Sequence, residues 1–168
     1  DGNTMIFSSN KIDGKTTDLY MTIKDINGIW SEPIPLDELN STGNEVSPFL
    51  FSDSIMFFAS DGLSGIGGYD IYKAEFYNGI WQRPTPINSV NTEFDEADFL
   101  VLPDLNAVFS SNRPNSLGGY DLYFALLANE AVSQSGDVKY ISSFKSSLPE
   151  IRIKNRKEKF LLPNNLLL

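Results

Sequence analysis

An all-β repeat fold is predicted by two features of the sequence: one set of motifs recurs at intervals of 51 or 52 residues, and each copy is patterned as short strands. Phe7-Ser8-Ser9-Asn10 recurs as Phe58-Ala59-Ser60-Asp61 and as Phe109-Ser110-Ser111-Asn112. Asp18-Leu19-Tyr20 recurs as Asp70-Ile71-Tyr72 and as Asp121-Leu122-Tyr123. Self-similarity at a fixed period indicates an architecture in which each repeat packs against its neighbours.

The second repeat is the most complete, and it predicts four antiparallel strands. Glu45–Phe51 and Ile55–Ala59 are apolar runs joined by a turn, the latter typical of a strand covered on both faces, and Asp70–Phe76 alternates like a half-buried strand. Asn78-Gly79 predicts a hairpin leading into a fourth strand over residues 81–87. The prolines of that strand favour a sheet edge, because proline has no N–H to donate. Four short strands per repeat are typical of one β-propeller blade.

We therefore predict about three blades, a partial propeller, over residues 1–44, 45–95 and 96–127 plus a following strand. The first repeat begins at its second strand near Thr4, and the third lacks the Gly-Ile-Trp motif of its fourth strand. Residues 128–168 form an atypical C-terminal segment, interpreted as an outer strand or a cap. Candidate strands there are Val138–Phe144, Ile151–Ile153 and Phe160–Leu162. No helix is predicted within residues 1–127, because no stretch carries a sustained apolar stripe free of Gly and Pro.

Composition limits the chemistry that the 168 residues can perform. The chain has no cysteine and no histidine, which excludes disulfides, thiolate chemistry and imidazole-based catalysis. Residues 1–137 hold 20 of the 22 acidic side chains, whereas residues 138–168 hold seven of the 13 basic ones. An acidic body argues against a nucleic-acid partner. No apolar run approaches the roughly 20 residues of a membrane span, and we expect Asp1 to begin a processed or excised piece.

The repeat motifs together resemble those of a known family. The resemblance rests on Phe58–Gly62, Gly67–Tyr72, Gly79–Trp81 with Pro84, and Val90–Glu96, and the third repeat matches equally well. These strings resemble the WD-like repeat of TolB-type β-propellers, especially the version found in envelope proteins of the Bacteroidota. The resemblance covers about residues 1–127 and implies a six- or seven-bladed propeller of an extracytoplasmic protein, periplasmic or associated with the outer membrane. It further implies a scaffold or binding module.

Recurrent oxygen-bearing side chains near the loops are the candidate metal ligands. They are Asp61, Asp70, Asn112 and Asp121. Calcium prefers such ligands, but Asp and Asn also cap turns by accepting backbone N–H bonds. We favour the capping interpretation because the dense alternation of aspartates in calcium loops is missing. No cofactor is predicted.

Other recurrent residues are interpreted as repeat structure. Glu45 and Glu96 occupy the same position of successive repeats, so a catalytic carboxylate pair is not favoured. The aromatic side chains that recur are assigned to packing between blades; they are Trp30, Trp81, Tyr20, Tyr72 and Tyr123. Arg83 and Arg113 are the only arginines before residue 138 and are the candidate partner-binding residues.

Three blades do not close a ring that usually needs four to eight. The chain is predicted to be part of a larger propeller, to be completed by a second copy or another subunit, or to be covered by its own C-terminal segment. Exposed blade faces associate readily. The predicted function is a non-catalytic protein-interaction or scaffold module of the bacterial cell envelope. The alternative is a ligand-binding propeller for glycan or peptide, assisted by calcium, or a domain associated with an enzyme.

Overall fold

The computed structural model describes residues 2–10, 14–102, 106–114, 117–127 and 144–145, and these ranges contain strands and turns but no helix. The first six strands are β1 (Thr4–Ser9), β2 (Asp18–Ile23), β3 (Ile34–Pro35), β4 (Glu45–Ser52), β5 (Ile55–Ser60) and β6 (Asp70–Tyr77). The last six are β7 (Ile80–Trp81), β8 (Thr85–Pro86), β9 (Glu96–Val101), β10 (Asn106–Ser111), β11 (Asp121–Leu127) and β12 (Phe144–Lys145). The predicted all-β class is confirmed. A membrane-crossing helix is not found in the described part of the chain.

Each repeat forms one antiparallel sheet. Sheet 1 has the order β1-β2-β3, sheet 2 the order β4-β5-β6-β7 with β8 also paired to β6, and sheet 3 the order β12-β11-β10-β9. Residues one repeat apart occupy the same rungs of their ladders: Phe7 pairs with Tyr20, Phe58 with Tyr72, and Phe109 with Tyr123. The repeat in sequence is therefore a repeat in strand register. That these sheets are blades of a propeller stays a prediction.

The outer strands are shorter than the sequence predicts. The single strand expected over residues 81–87 is wrong: two short pieces, β7 and β8, pair with β6 on either side of Pro84, which has no N–H to donate. The hairpin at Asn78-Gly79 is confirmed, with φ angles of 52° and 85° that suit a tight two-residue turn. In sheet 3, β12 pairs with the end of β11 and coincides with the predicted Val138–Phe144 strand only at Phe144. Residues 138–143, 151–153 and 160–162 lie outside the described residues.

Sheet 2 lies between the other two sheets, and both of its faces are buried. Along β5, Met56 and Phe58 join a cluster with sheet 1 that contains Leu19, whereas Phe57 and Ala59 join a cluster with sheet 3. This alternation follows from the two-residue period of a strand, and it confirms the prediction that β5 is covered on both faces. The predicted half-burial of β6 holds over residues 72–75, where buried Tyr72 and Ala74 alternate with the more exposed Lys73 and Glu75. It fails at Ile71, which is fully buried on the other face of the sheet.

Candidate functional site

The predicted cation ligands Asp61 and Asn112 are engaged in the same hydrogen-bonded arrangement in successive repeats. The carboxylate of Asp61 accepts from the backbone N–H of Asn44 at 2.6 Å and from its amide Nδ2 at 2.9 Å. One repeat later the charge changes sides: the Oδ1 of Asn112 accepts from the N–H of Asp95 at 2.9 Å, and its Nδ2 donates to Asp95 at 2.7 Å. Both pairs combine one carboxylate with one amide, so the geometry is kept while the acid moves from the residue after one strand to the residue before its neighbour.

The carboxylate in each pair also accepts a hydrogen bond from the tyrosine of a Gly-Gly-Tyr motif. Tyr69 donates its hydroxyl to Asp61, and burial and that carboxylate raise the pKa of Tyr69. Tyr120 donates to Oδ2 of Asp95 at 3.0 Å, and burial together with this bond raises the pKa of Tyr120 to about 12. The phenols are therefore fixed as neutral donors at ordinary pH. These oxygens thus take part in a structural network within the chain.

Asp70 and Asp121 close the loops that precede their strands. The Oδ2 of Asp70 accepts from the N–H groups of Ile66 and Gly67 at 2.9 and 3.0 Å, and the carboxylate of Asp121 accepts from the N–H of Leu117. Burial raises the pKa of Asp70 above its ordinary value in spite of these bonds, and its Oδ1 has no partner in the described structure. No group of three acidic side chains in the described ranges is arranged to hold a metal ion.

Glu45 and Glu96 are fully buried at equivalent positions and serve as hydrogen-bond centres. Glu45 accepts from the N–H and the hydroxyl of Ser41 at 2.9 and 2.6 Å and from the hydroxyl of Ser60 at 2.6 Å. Glu96 repeats these contacts with Thr92 and Ser111. Each carboxylate thereby joins the segment before its sheet to the end of the second strand. This geometry accounts for the two glutamates as repeat structure, as the sequence predicts.

Arg113, a predicted partner-binding residue, has contacts within the chain. Its Nη2 lies 3.0 Å from Glu96 Oε1 and donates to the carbonyl of Val90 at 3.0 Å. The guanidinium carbon stands 4.7 Å from the ring centre of Tyr123 and 5.2 Å from that of Phe109. Cation–π contact and a buried ion pair account for the position of the Arg113 side chain. That side chain is 22% exposed.

The other predicted partner-binding residue, Arg83, is exposed and lines a pocket of about 340 Å³. The remaining lining residues are Leu63, Ser64, Tyr72, Pro84, Thr85 and Pro86. All of them belong to the second repeat, and none is a carboxylate. The pocket therefore does not gather unlike polar groups from several repeats.

The most unusual surface is the outward face of sheet 3, which the sequence reasoning did not single out. Leu122 is 62% exposed, whereas Ile71 at the equivalent position of sheet 2 is fully buried. Phe124 is 47% exposed and occupies the repeat position that Lys73 has in sheet 2. Val108 pairs with Phe124 on one side and with Leu100 on the other, and Leu100 is also exposed. The signal in the sequence is the set of apolar residues at four outward positions of the last repeat, Leu100, Val108, Leu122 and Phe124, with no fourth copy of the motif in the chain to cover them. An apolar patch of this kind indicates an interaction surface.

Comparison with known proteins adds no assignment. No family model matches the chain. No curated protein and no solved structure matches it either. The resemblance to TolB-type repeats therefore rests on the motifs themselves.

Proposed function

We propose that this chain is a non-catalytic protein-interaction or scaffold module of a bacterial cell-envelope protein or assembly, and that its sheets are blades of a partial propeller. The observation that carries the proposal is the contrast between Ile71, which is fully buried, and Leu122, which is 62% exposed at the same repeat position. The face of sheet 2 that contains Ile71 is covered by sheet 3, whereas the equivalent face of sheet 3, which contains Leu122, is exposed. The placement in the envelope rests on the family resemblance of the repeat motifs.

The polar side chains support a binding role more than a catalytic one. Glu45, Glu96, Asp61 and Asp95 are saturated with hydrogen bonds at repeat-equivalent positions, so each maintains the stacking of strands and loops. Catalysis requires groups with different environments converging on one reacting atom. The repeated clusters instead place the same environment at regular intervals, which suits a scaffold that presents surfaces.

The proposal is tested by partner capture with matched surface variants. The intact chain is immobilised and exposed to an envelope extract of its source cells, beside Leu122→Glu and the control Ile26→Glu. Ile26 is 99% exposed in a hairpin turn away from the sheet faces. We expect wild type and Ile26→Glu to retain the same proteins and Leu122→Glu to lose them, because a buried carboxylate in an apolar interface is costly. Identical retention by all three chains would contradict a role for this face.

A further inference from the structure

Sheet 1 has an unpaired strand edge at a place where the other two sheets have a paired one. In those sheets the strands β5 and β10 pair on one side with β4 and β9. The equivalent strand β1 pairs with β2, and within the described residues no strand pairs with its other side, which we call the free edge of β1. Such an edge presents a row of backbone N–H and C=O groups that can accept a further strand.

Side-chain exposure places the opening at this edge and not on the faces of sheet 1. Met5 on β1 is 44% exposed, whereas Thr22, its partner on the same side of β2, is 5% exposed. Tyr20 is buried on that side too, and on the opposite side Ile6 packs against sheet 2. None of the side chains of β1 is buried, whereas all those of β5 are. The sheet is therefore covered at β2 and open at the free edge of β1.

In sheets 2 and 3, polar side chains at the end of one strand hold the start of the strand that pairs with it. The hydroxyl of Ser60 donates to Glu45 at 2.6 Å, and that of Ser111 donates to Glu96 at 2.8 Å. In both sheets the residue after the serine pairs with the residue before the glutamate, as one carboxylate with one amide. The chain therefore enters the paired strand as Asn-Glu in sheet 2 and as Asp-Glu in sheet 3.

Sheet 1 has the same two polar side chains at the end of β1. Ser9 has the repeat position of Ser60 and Ser111, and Asn10 has that of Asn112. Neither Ser9 nor Asn10 makes a side-chain hydrogen bond within the part of the chain that the structure describes, and Asn10 is exposed. Sheet 1 therefore contributes its half of this contact with no described Asn-Glu or Asp-Glu opposite it.

We propose, on the basis of the function proposed above, that the free edge of β1 binds an extended segment of a partner protein as an added antiparallel strand. The segment begins with Asp-Glu, because Asn10 is an amide and each described pair joins an amide to a carboxylate. Two apolar residues follow, four and five positions after the glutamate, as Phe49-Leu50 and Leu100-Val101 do in the paired strands. Main-chain bonds to the edge supply affinity, and these side chains select the partner.

The test uses a synthetic peptide with the sequence of residues 92–102, the stretch that enters and forms β9. It includes Thr92, whose N–H and hydroxyl bond to Glu96, so the peptide carries its own donors for the glutamate. Fluorescence anisotropy of the labelled peptide is measured against the intact chain at about 150 mM salt, which screens the repulsion between two acidic molecules. We expect saturable binding with a dissociation constant below about 500 µM and at least tenfold weaker binding of a scrambled peptide. A dissociation constant above that value would overturn the proposal.

An exchange of charge at Asn10 tests the predicted contact. Asn10→Asp places a second carboxylate opposite the aspartate of the peptide, so it is expected to weaken binding at least about tenfold. A peptide with asparagine in place of Asp95 reproduces the Asn44–Asp61 pair and should restore binding to this variant to within about threefold of wild type.

Asn88→Asp is the matched control, because it adds the same charge at an exposed position of sheet 2. It should leave binding of the original peptide within about twofold of wild type. Circular dichroism verifies that both variants are folded, since both replaced side chains are exposed. Equal weakening by the two substitutions, or no recovery with the altered peptide, would contradict the predicted contact.

Leu122→Glu separates this inference from the function proposed above. The substitution alters the exposed face of sheet 3 and leaves β1 intact, so we expect the variant to bind the peptide as wild type does. Loss of binding would place the peptide on sheet 3 and refute the inference. If the peptide does not bind wild type while Leu122→Glu still loses its captured proteins, the inference about β1 fails and the proposed function stands.

Sedimentation of the chain alone tests a second copy as the occupant of the free edge. We expect no self-association that depends on Asn10. Self-association that Asn10→Asp abolishes would show that another copy occupies the edge, and the assignment to a partner protein would be wrong.

Discussion

At the residue scale, this molecule keeps its geometry while changing its charges. In the pairs Asn44–Asp61 and Asp95–Asn112, the backbone N–H of the first residue donates to the second in both cases. The bond between the two side chains reverses its direction, because the amide is on the first residue in one pair and on the second in the other. Glu96 has an arginine partner, whereas Glu45 at the equivalent position is satisfied by hydroxyl and N–H donors. Each buried carboxylate therefore needs hydrogen-bond donors, but the donors that supply these bonds differ between repeats.

Asp70→Asn is expected to stabilise the chain progressively as pH rises. Burial raises the pKa of Asp70 above its usual value of 3.8, so the folded state binds its proton more tightly than the unfolded state does. The free energy of unfolding therefore falls as pH rises from about 4 through the folded pKa. Asparagine keeps an acceptor for Ile66 and Gly67 without that titration, so its advantage over wild type should grow through this interval and then stay constant.

Urea denaturation between pH 3.5 and 7 measures the effect of Asp70→Asn. The matched control is Asp121→Asn, which changes the equivalent and partly exposed loop residue. A constant difference between Asp70→Asn and wild type across the whole range would contradict the prediction.

Arg113→Ala is expected to lower the free energy of unfolding by about 2 kcal/mol at pH 7, because Glu96 loses its cation while staying buried. This loss of unfolding free energy should stay below the roughly 3–5 kcal/mol that breaking a buried ion pair can cost. The reason is that Glu45, at the equivalent position, is held by hydroxyl and N–H donors without an arginine. Urea denaturation gives the value. The same substitution made in a Glu96→Gln background should have a clearly smaller effect, and an equal effect in both backgrounds would refute coupling through charge.

At the element scale, side chains from irregular segments hold the sheets together. Asn91 accepts from the N–H of Ile71 at 2.8 Å and donates to its carbonyl at 3.0 Å, and Asn40 does the same at Leu19. A β-bulge with positive φ recurs at Ser47 and Asp98, which bond to each other at 2.7 Å across neighbouring sheets. The two asparagine side chains, which we call the amide clamps, fix the loop after each outer strand on its sheet. The bond between Ser47 and Asp98 joins neighbouring sheets.

Asn91→Ala is expected to destabilise the fold by about 2 kcal/mol, because the buried N–H of Ile71 loses its acceptor. Asn88→Ala, at an exposed position of the same segment, should change the free energy of unfolding by less than about 0.5 kcal/mol. Thermal or urea denaturation of both variants tests the clamp. Similar losses in the two variants would show that the segment, and not the paired amide, is responsible.

At the scale of the whole molecule, equivalent side chains are expected to contribute unequally to the free energy of unfolding along the stack of sheets. Ile71→Ala is expected to lower the free energy of unfolding by about 2–5 kcal/mol, because it opens a cavity between sheets 2 and 3. Leu122→Ala removes an equivalent but exposed side chain and should change it by less than about 1 kcal/mol in dilute protein. Denaturation at low and high protein concentration measures both. A large loss for Leu122→Ala at every concentration would mean that this face is covered within one chain.

The sequence predicted much of the local structure for physical reasons that act over short distances. The bounds of β4, β5 and β6 were predicted to within one residue, because apolar runs and turn residues define them. Asn78-Gly79 predicted its hairpin because both residues tolerate positive φ. The strand over residues 81–87 was predicted as continuous, although Pro84 interrupts its pairing. The exposure of Ile71 was predicted incorrectly, because it depends on sheet 3, whose residues are distant in sequence.

By itself, then, the sequence determined the repeat, the all-β class and the bounds of the central strands, since periodicity and turn chemistry are local. Tertiary structure alone decided which equivalent positions differ in environment. A Cβ on Gly62 would lie 2.0 Å from Ser41 Oγ and 2.5 Å from Gly43 N, so the second repeat excludes the arginine that the third repeat uses at this position. Likewise Ile71 and Leu122 have the same place in the pattern but opposite exposure. Burial depends on whether another sheet lies against the face, and the pattern of one repeat carries no information about that.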